Sequence, residues 1–170
     1  MSNFREIKVN EIKNNPFEMI GTDWMLITAK RNDKVNTMTA SWGGLGVIWN
    51  KNVVTVYIRP QRYTKEFIDN SDTFSITILG DDYRKELSYL GTVSGRNQDK
   101  IVNTGLTVVE DNNTPYFNEG SLVFICKKLY AQEMNKESFV TDNLVNNNYL
   151  KEDFHTMYIG EIMKVLVKED

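Results

Sequence analysis

"NTMTASWGGLG", residues 36–46, is the stretch on which the reading of this chain turns. It holds two Thr, one Asn, one Ser and three Gly, and it runs straight into the apolar "VIW" of 47–49. Strands favour β-branched and aromatic side chains and are depleted in glycine. Loops rarely alternate small and apolar residues this regularly. Small, hydrogen-bonding residues on a strand make sense where another group must come close to its backbone.

The neighbouring sequence supports a strand-rich setting. In "VVTVYIR" (53–59), Val54, Val56 and Ile58 fall on one face, and Thr55, Tyr57 and Arg59 fall on the other. In "TFSITIL" (73–79), Phe74, Ile76 and Ile78 oppose Thr73, Ser75 and Thr77. This period of two marks strands with one buried face. Residues 24–30, 106–110, 121–133 and 155–168 read the same way. Arg31–Lys34 and Asn50–Asn52 are plausible hairpin connections. Helices are fewer: 81–91 with Gly91 as its stop, 64–70 with Thr64 as N-cap, 99–105 closed by Gly105, and one near 11–20 around Pro16. The polar, Asn-rich stretch 135–153 carries no assignable pattern. Runs of strands with a few inserted helices point to a mainly β fold, a β-barrel with short helical connections.

Composition narrows the function classes. The 170 residues suit one domain over 1–170, with a hydrophobic share of 41% and a charged share of 25%. A net charge of −3 argues against a nucleic-acid partner. No apolar run approaches the roughly 20 residues needed to cross a bilayer, so no membrane partner is expected. The opening "MSNFREIKVN" lacks the apolar centre of a secretion signal. Cys126 is the single cysteine and reads as a small buried hydrophobe. Together these features lead to an expected cytoplasmic location.

The usual catalytic patterns are missing. One histidine and one cysteine exclude a multi-His or Cys-cluster metal site, so no metal is expected. Neither a Gly-x-Ser-x-Gly elbow nor a phosphate-loop spacing is present. Chemistry in such a chain would be carried by a bound organic cofactor. Two stretches suit one. "RPQRYT" (59–64) brings two Arg and a Tyr to a strand-to-helix junction, where guanidinium groups and free N–H groups can hold a phosphate. "SGRNQDK" (94–100) is similar in kind. Each has a plain alternative, namely solvated surface cations for the first and an ordinary turn capped by Asp99 for the second.

In order, "NTMTASWGGLGVIW", "VYIRPQRYTKEFI", "FSITIL", "LGTVSGRNQDKI" and "HTMYIGEI" form a series from about Trp24 to Glu161. The series resembles the flavin reductase-like family, especially its flavoredoxin-type branch with the FMN-binding split β-barrel fold. The resemblance implies a homodimer with FMN near the subunit interface. It implies a flavoprotein oxidoreductase that takes hydride from NADH or NADPH. The alternatives are an electron carrier or ferric reductase that keeps its FMN, and a flavin-binding module without turnover. By position, Thr37, Met38, Thr39, Ala40, Ser41 and Trp42 would line the isoalloxazine ring, and Asn36 beside them is expected to bind the cofactor. Arg62 and Thr64, with Arg59 behind them, would hold the phosphate, and Tyr63 between them is expected to bind the cofactor. Ser94, Gly95, Arg96 and Lys100 match a second phosphate- or ribityl-proximal cluster. His155 would contact flavin or nicotinamide, although a histidine at a strand start also serves structure alone. A phosphate monoester carries about −2 charge near neutral pH, so two or three cations would be well placed on this mildly acidic chain. Thr37, Thr39 and Ser41 alternate with Met38 and Ala40, so only one of these sets can face the ring directly.

Overall fold

The strand patterns resolve into an antiparallel sheet in the computed structural model, which describes residues 3–169. In chain order its elements are β1 (Phe4–Ile7), α1 (Pro16–Gly21), β2 (Met25–Arg31), β3 (Lys34–Ala40), β4 (Gly43–Ile48) and β5 (Lys51–Ile58). They continue with α2 (Tyr63–Asp69), β6 (Thr73–Ile78), α3 (Arg84–Thr92), α4 (Lys100–Thr104), β7 (Val108–Asp111), β8 (Thr114–Phe117), β9 (Leu122–Glu133), α5 (Asp142–Asn148) and β10 (Thr156–Lys168). The strands run β3-β2-β6-β9-β10-β5-β4 across the sheet, β1 adds to β10, and β7 and β8 form a separate hairpin.

This order decides the architecture. β3 and β4 follow one another in sequence, yet they lie at opposite ends of the strand path. Only Ser41 and Trp42 separate them. A sheet whose two ends are tied by two residues must curl on itself, and the result is the expected mainly β split barrel, with a seam at residues 41–42. Gly43 shows why the seam needs small residues. A Cβ there would lie 2.7 Å from the Thr55 carbonyl oxygen and 2.9 Å from Met25 Cε, closer than any side chain can be placed without shifting backbone.

The inward faces make the core. Val54, Val56 and Ile58 on β5, Phe74, Ile76 and Ile78 on β6, and Phe124 and Tyr158 are all buried in one cluster. Each such side chain contributes roughly 1.5–3 kcal/mol of apolar burial. A second cluster, with Leu26, Leu79, Leu87, Leu90 and Phe117, lies under α3. β2 is therefore covered on both faces, and Met25 to Ala29 are all buried. Cys126 is fully buried, and burial pushes its thiol pKa well above the ordinary value.

Several local expectations are corrected. The β4–β5 turn is Trp49–Asn50, both left-handed at φ 53° and 55°, and not residues 50–52; this is the geometry of a two-residue type I′ hairpin. Gly91 does not stop α3. The Val93 N–H still bonds to the Tyr89 carbonyl at 3.0 Å, and the helix runs to Thr92. α2 begins at Tyr63 with Arg62 at its cap, so Thr64 is not the N-cap. Pro16 opens α1, where its missing N–H costs nothing, and the Asn15 side chain accepts from the Phe17 N–H at 3.0 Å. β8 lies in "TPYF", a segment given no strand from sequence, and α5 lies in the stretch without a readable pattern. No helix among the described residues is long and apolar enough to cross a membrane.

Candidate functional site

The seam opens into two hollows that share Met38 and Arg62 as walls. The first, about 280 Å³, is bounded by Met38 to Trp42 on one side and by Tyr57, Arg59, Arg62 and His155 on the other. The second, about 190 Å³, gathers Asn36, Arg62, Tyr63, Thr64, Ser94, Gly95 and Lys100. The chain thus brings residues from 36–42, 57–64, 92–100 and 155 to one place, through the end of β3, the β5–α2 junction, the α3–α4 loop and the start of β10.

Within 36–42 the two alternating sets have separate jobs. The Thr37 hydroxyl donates to the Ile27 carbonyl at 3.0 Å and lies 2.9 Å from the Thr28 hydroxyl, fully buried. Thr37 lines neither hollow and stands behind the wall. The Thr39 hydroxyl donates to the Leu87 carbonyl at 2.6 Å, which fastens β3 to α3. The Met38 side chain packs into the core while lining both hollows. What this strand offers the first hollow is therefore mainly Met38, Ala40 and its backbone, with the Ser41 hydroxyl and the Trp42 indole at the end.

The cations also divide. Arg59 borders the first hollow, but its guanidinium is anchored to Asp153 at 2.6 Å and to the Asn148 carbonyl at 2.9 Å. Arg96 lies outside both hollows, pairs with Glu66, and stacks 4.8 Å from the centre of the Tyr63 ring. Arg62 and Lys100 differ, because among the described residues neither pairs with a carboxylate. Arg62 donates to the Gly91 carbonyl at 2.8 Å, and Lys100 donates to the carbonyls of Leu90 at 2.7 Å and Val93 at 3.0 Å. Burial, reinforced by the Arg62 charge, lowers the Lys100 pKa to about 8. A buried lysine and a half-buried arginine without a counter-charge, beside Ser94 and Thr64, make a ready anion site.

Gly95 shapes the wall of that site. A Cβ there would fall 2.2 Å from Asn36 Oδ1. The same amide donates from Nδ2 to Thr64 Oγ1 at 2.9 Å, so Asn36 ties β3 to α2 directly beneath the cations.

His155 lies in the wall of the first hollow, 7% exposed, with its ring 5.1 Å from that of Trp42. Burial is the main cause that lowers its pKa to about 4; Arg59 adds to the shift and Asp153 opposes it. It is neutral at pH 7. Sequence reasoning missed Tyr149, whose hydroxyl lies 2.8 Å from His155 Nδ1, and Gln61, Thr92 and Val93, which complete the second hollow. Tyr57 was legible only as a member of the outward-facing set of β5.

Folds of this shape are known. The chain superposes on an FMN-binding domain of a flavin reductases-like enzyme from Shewanella baltica with a TM-score of 0.72, at 19% identity, covering 98% of this chain and 78% of that one. Flavoredoxin from Methanosarcina acetivorans gives 0.70 at 22% identity, covering 97% and 76%. Flavoredoxin of Desulfovibrio vulgaris (Miyazaki F) gives 0.68 at 25% identity, covering 97% and 78%. No curated protein matches the chain. The model of the flavin reductase like domain matches residues 18–170, and the chain belongs to that family. Membership supports a flavin-related redox role.

Proposed function

We propose that this chain is a single-domain, FMN-binding oxidoreductase that takes hydride from NADH or NADPH and passes electrons to flavin or to a further acceptor. The observation that carries the reading is the Arg62–Lys100 pair, a half-buried and a buried cation without a carboxylate partner, at one end of a cleft whose other end is walled by the small residues Thr39, Ala40 and Ser41 and by aromatic rings. A phosphomonoester beside a flat ring fits that polarity from end to end. Arg62 and Lys100 would hold the phosphate with the Ser94 and Thr64 hydroxyls nearby. Asn36, Gly95 and Tyr63 would shape the passage between the two hollows. Met38 and Ala40, the backbone of 39–41 and Trp42 would form the ring slot, closed on its far side by Tyr57 and His155.

When bound, FMN supplies the hydride- and electron-accepting chemistry. The protein residues orient the ring and exclude water from one side of it. No general acid is required of them. A larger hollow of about 560 Å³ meets the ring slot at Ser41, Trp42 and Tyr57, leaving room beside the slot for a second reactant.

Exposed apolar side chains next to this opening, with Phe17 at 86% and Trp42 at 47% exposure, support a homodimer that covers the site. The cytoplasm is the compartment that the composition fits. The colour of the purified protein and its behaviour under anaerobic NADH and NADPH test the assignment. A colourless protein that gains no flavin from an FMN soak rules out every flavin reading. A yellow protein that neither nicotinamide bleaches leaves the electron carrier or the module without turnover. Size-exclusion chromatography with light scattering decides the dimer.

A further inference from the structure

Tyr149 follows α5 directly, at the end of the polar stretch for which the sequence offers no role, and it is 6% exposed. Its ring is clamped on several sides. Phe154 stacks on it at 4.8 Å, Phe139 lies tilted at 5.6 Å, and the Arg59 guanidinium sits 5.1 Å from its centre. Arg59 is itself held by Asp153 and by the Asn148 carbonyl, and Asp153 also accepts from Gln61 Nε2 at 2.9 Å. This packing fixes the phenol oxygen 2.8 Å from Nδ1 of His155. Among the described residues, Nδ1 is the only hydrogen-bond partner of the Tyr149 hydroxyl, and Nε2 of His155 makes no hydrogen bond to the protein.

We propose that Tyr149 is the positioning residue of this site: its hydroxyl donates to Nδ1 of His155 and holds that ring, which lines the ring slot, as the Nε2–H tautomer, a neutral donor.

The direction of the hydrogen bond follows from counting protons. A neutral imidazole has one N–H and one bare nitrogen, and a phenol has one O–H. If His155 donated from Nδ1, the phenol proton would have no acceptor in the protein. A donor left unpaired in a buried place is costly. With Tyr149 donating, both groups are satisfied and the imidazole proton sits on Nε2, on the side of the ring that remains available. The charged groups facing the pair are Arg59, which disfavours an imidazolium, and Asp153, which favours one. Burial outweighs both, so the donor stays neutral across the physiological range. Hydrogen-bonding partners fix histidine tautomers in this way. What Nε2–H suits is a carbonyl oxygen or bare ring nitrogen on a flat heteroaromatic ligand. This part rests on the flavin reading, whereas the tautomer does not.

The chain contains one histidine, so a ¹⁵N spectrum of the ¹⁵N-histidine-labelled full-length protein reports this ring alone. At pH 7 without flavin, the expected spectrum shows a bare Nδ1 and a protonated Nε2. In Tyr149→Phe, which keeps the aromatic stack, the two tautomers should mix and the titration midpoint of the ring should rise. On adding FMN to the wild-type protein, the Nε2–H proton signal should move downfield. A proton on Nδ1 in the wild-type protein overturns the proposal, as does a Tyr149→Phe spectrum identical to the wild type. If Tyr149→Phe does not fold, the wild-type tautomer decides alone. Flavin that binds and leaves Nε2–H unmoved overturns the donor role. Failure to bind flavin at all instead removes the proposed function and leaves the tautomer result standing.

Discussion

The Arg62 guanidinium sits close enough to Lys100 to lower its pKa, while three backbone carbonyls, those of Gly91, Leu90 and Val93, hold the two side chains in place. Like charges are thus kept together by neutral oxygens, an arrangement that gains stability when an anion arrives.

Arg62→Ala should weaken FMN binding by about 1–3 kcal/mol, the scale of a lost charge-assisted hydrogen bond. Lys100→Met should act in the same direction. Fluorescence titration with FMN measures both. Unchanged affinity in the two variants would mean that the phosphate lies elsewhere.

Flavin affinity should fall as pH rises above about 8, where Lys100 loses its proton. An anion favours the protonated lysine, so binding takes up a proton above that point and weakens as protons become scarce. Lys100→Met should remove this slope. The flavin-free fold should show the opposite trend. Between about 8 and the ordinary lysine value of 10.5 the unfolded chain binds more protons, so stability should rise with pH. Denaturant titrations across that range check the sign.

His155 predicts a second pH effect at the acid end. Its pKa is about 4 in the fold against an ordinary 6.5, so the unfolded chain binds more protons between these values. Stability should therefore drop as pH falls from 6.5 toward 4, by up to roughly 1.4 kcal/mol per pH unit. Thermal melts of wild type and His155→Gln should diverge there and run parallel above pH 7. Parallel curves throughout would contradict the buried, neutral assignment.

Gly95→Ala places a methyl group where Asn36 Oδ1 stands and must displace the amide from Thr64. The expected cost is about 1 kcal/mol of stability, the net value of one hydrogen bond, with flavin affinity reduced in parallel. Gly46→Ala is the control, since nothing lies within 4 Å of its Cβ position. Equal melting temperatures for the two variants would show that the close approach at Gly95 is slack.

Strands with one buried face were readable because alternation survives any arrangement of neighbours; β5, β6, β9 and β10 appear close to where Val54, Phe74, Leu122 and Tyr158 put them. The break at Ser41–Trp42 was not readable, since a strand end and a crossing between sheet edges share the same small residues. β8 was hidden by Pro115 and by its length of four residues. At the site, the clusters around Arg62 and Lys100 stood out as charge beside small residues. Arg59 gave no sign that Asp153, 94 positions away, already held it. Tyr149 was concealed for a related reason. Its importance comes from a hydroxyl meeting His155 in space, and the surrounding Asn-rich sequence has no period to betray that.

The tie between β3 and β4 gives the cleft a mechanical meaning. The first hollow lies over the seam, with β3 on one bank and Tyr57 of β5 on the other. A molecule lodged there grips both banks and acts as a clasp across two strands that the chain joins covalently but does not pair by hydrogen bonds. At a concentration a hundredfold above its dissociation constant, such a ligand adds about 2.7 kcal/mol to the folded state. That gain should be concentrated along the lips of the opening, so amide exchange should slow first in residues 38–44 and leave the β9–β10 wall unchanged.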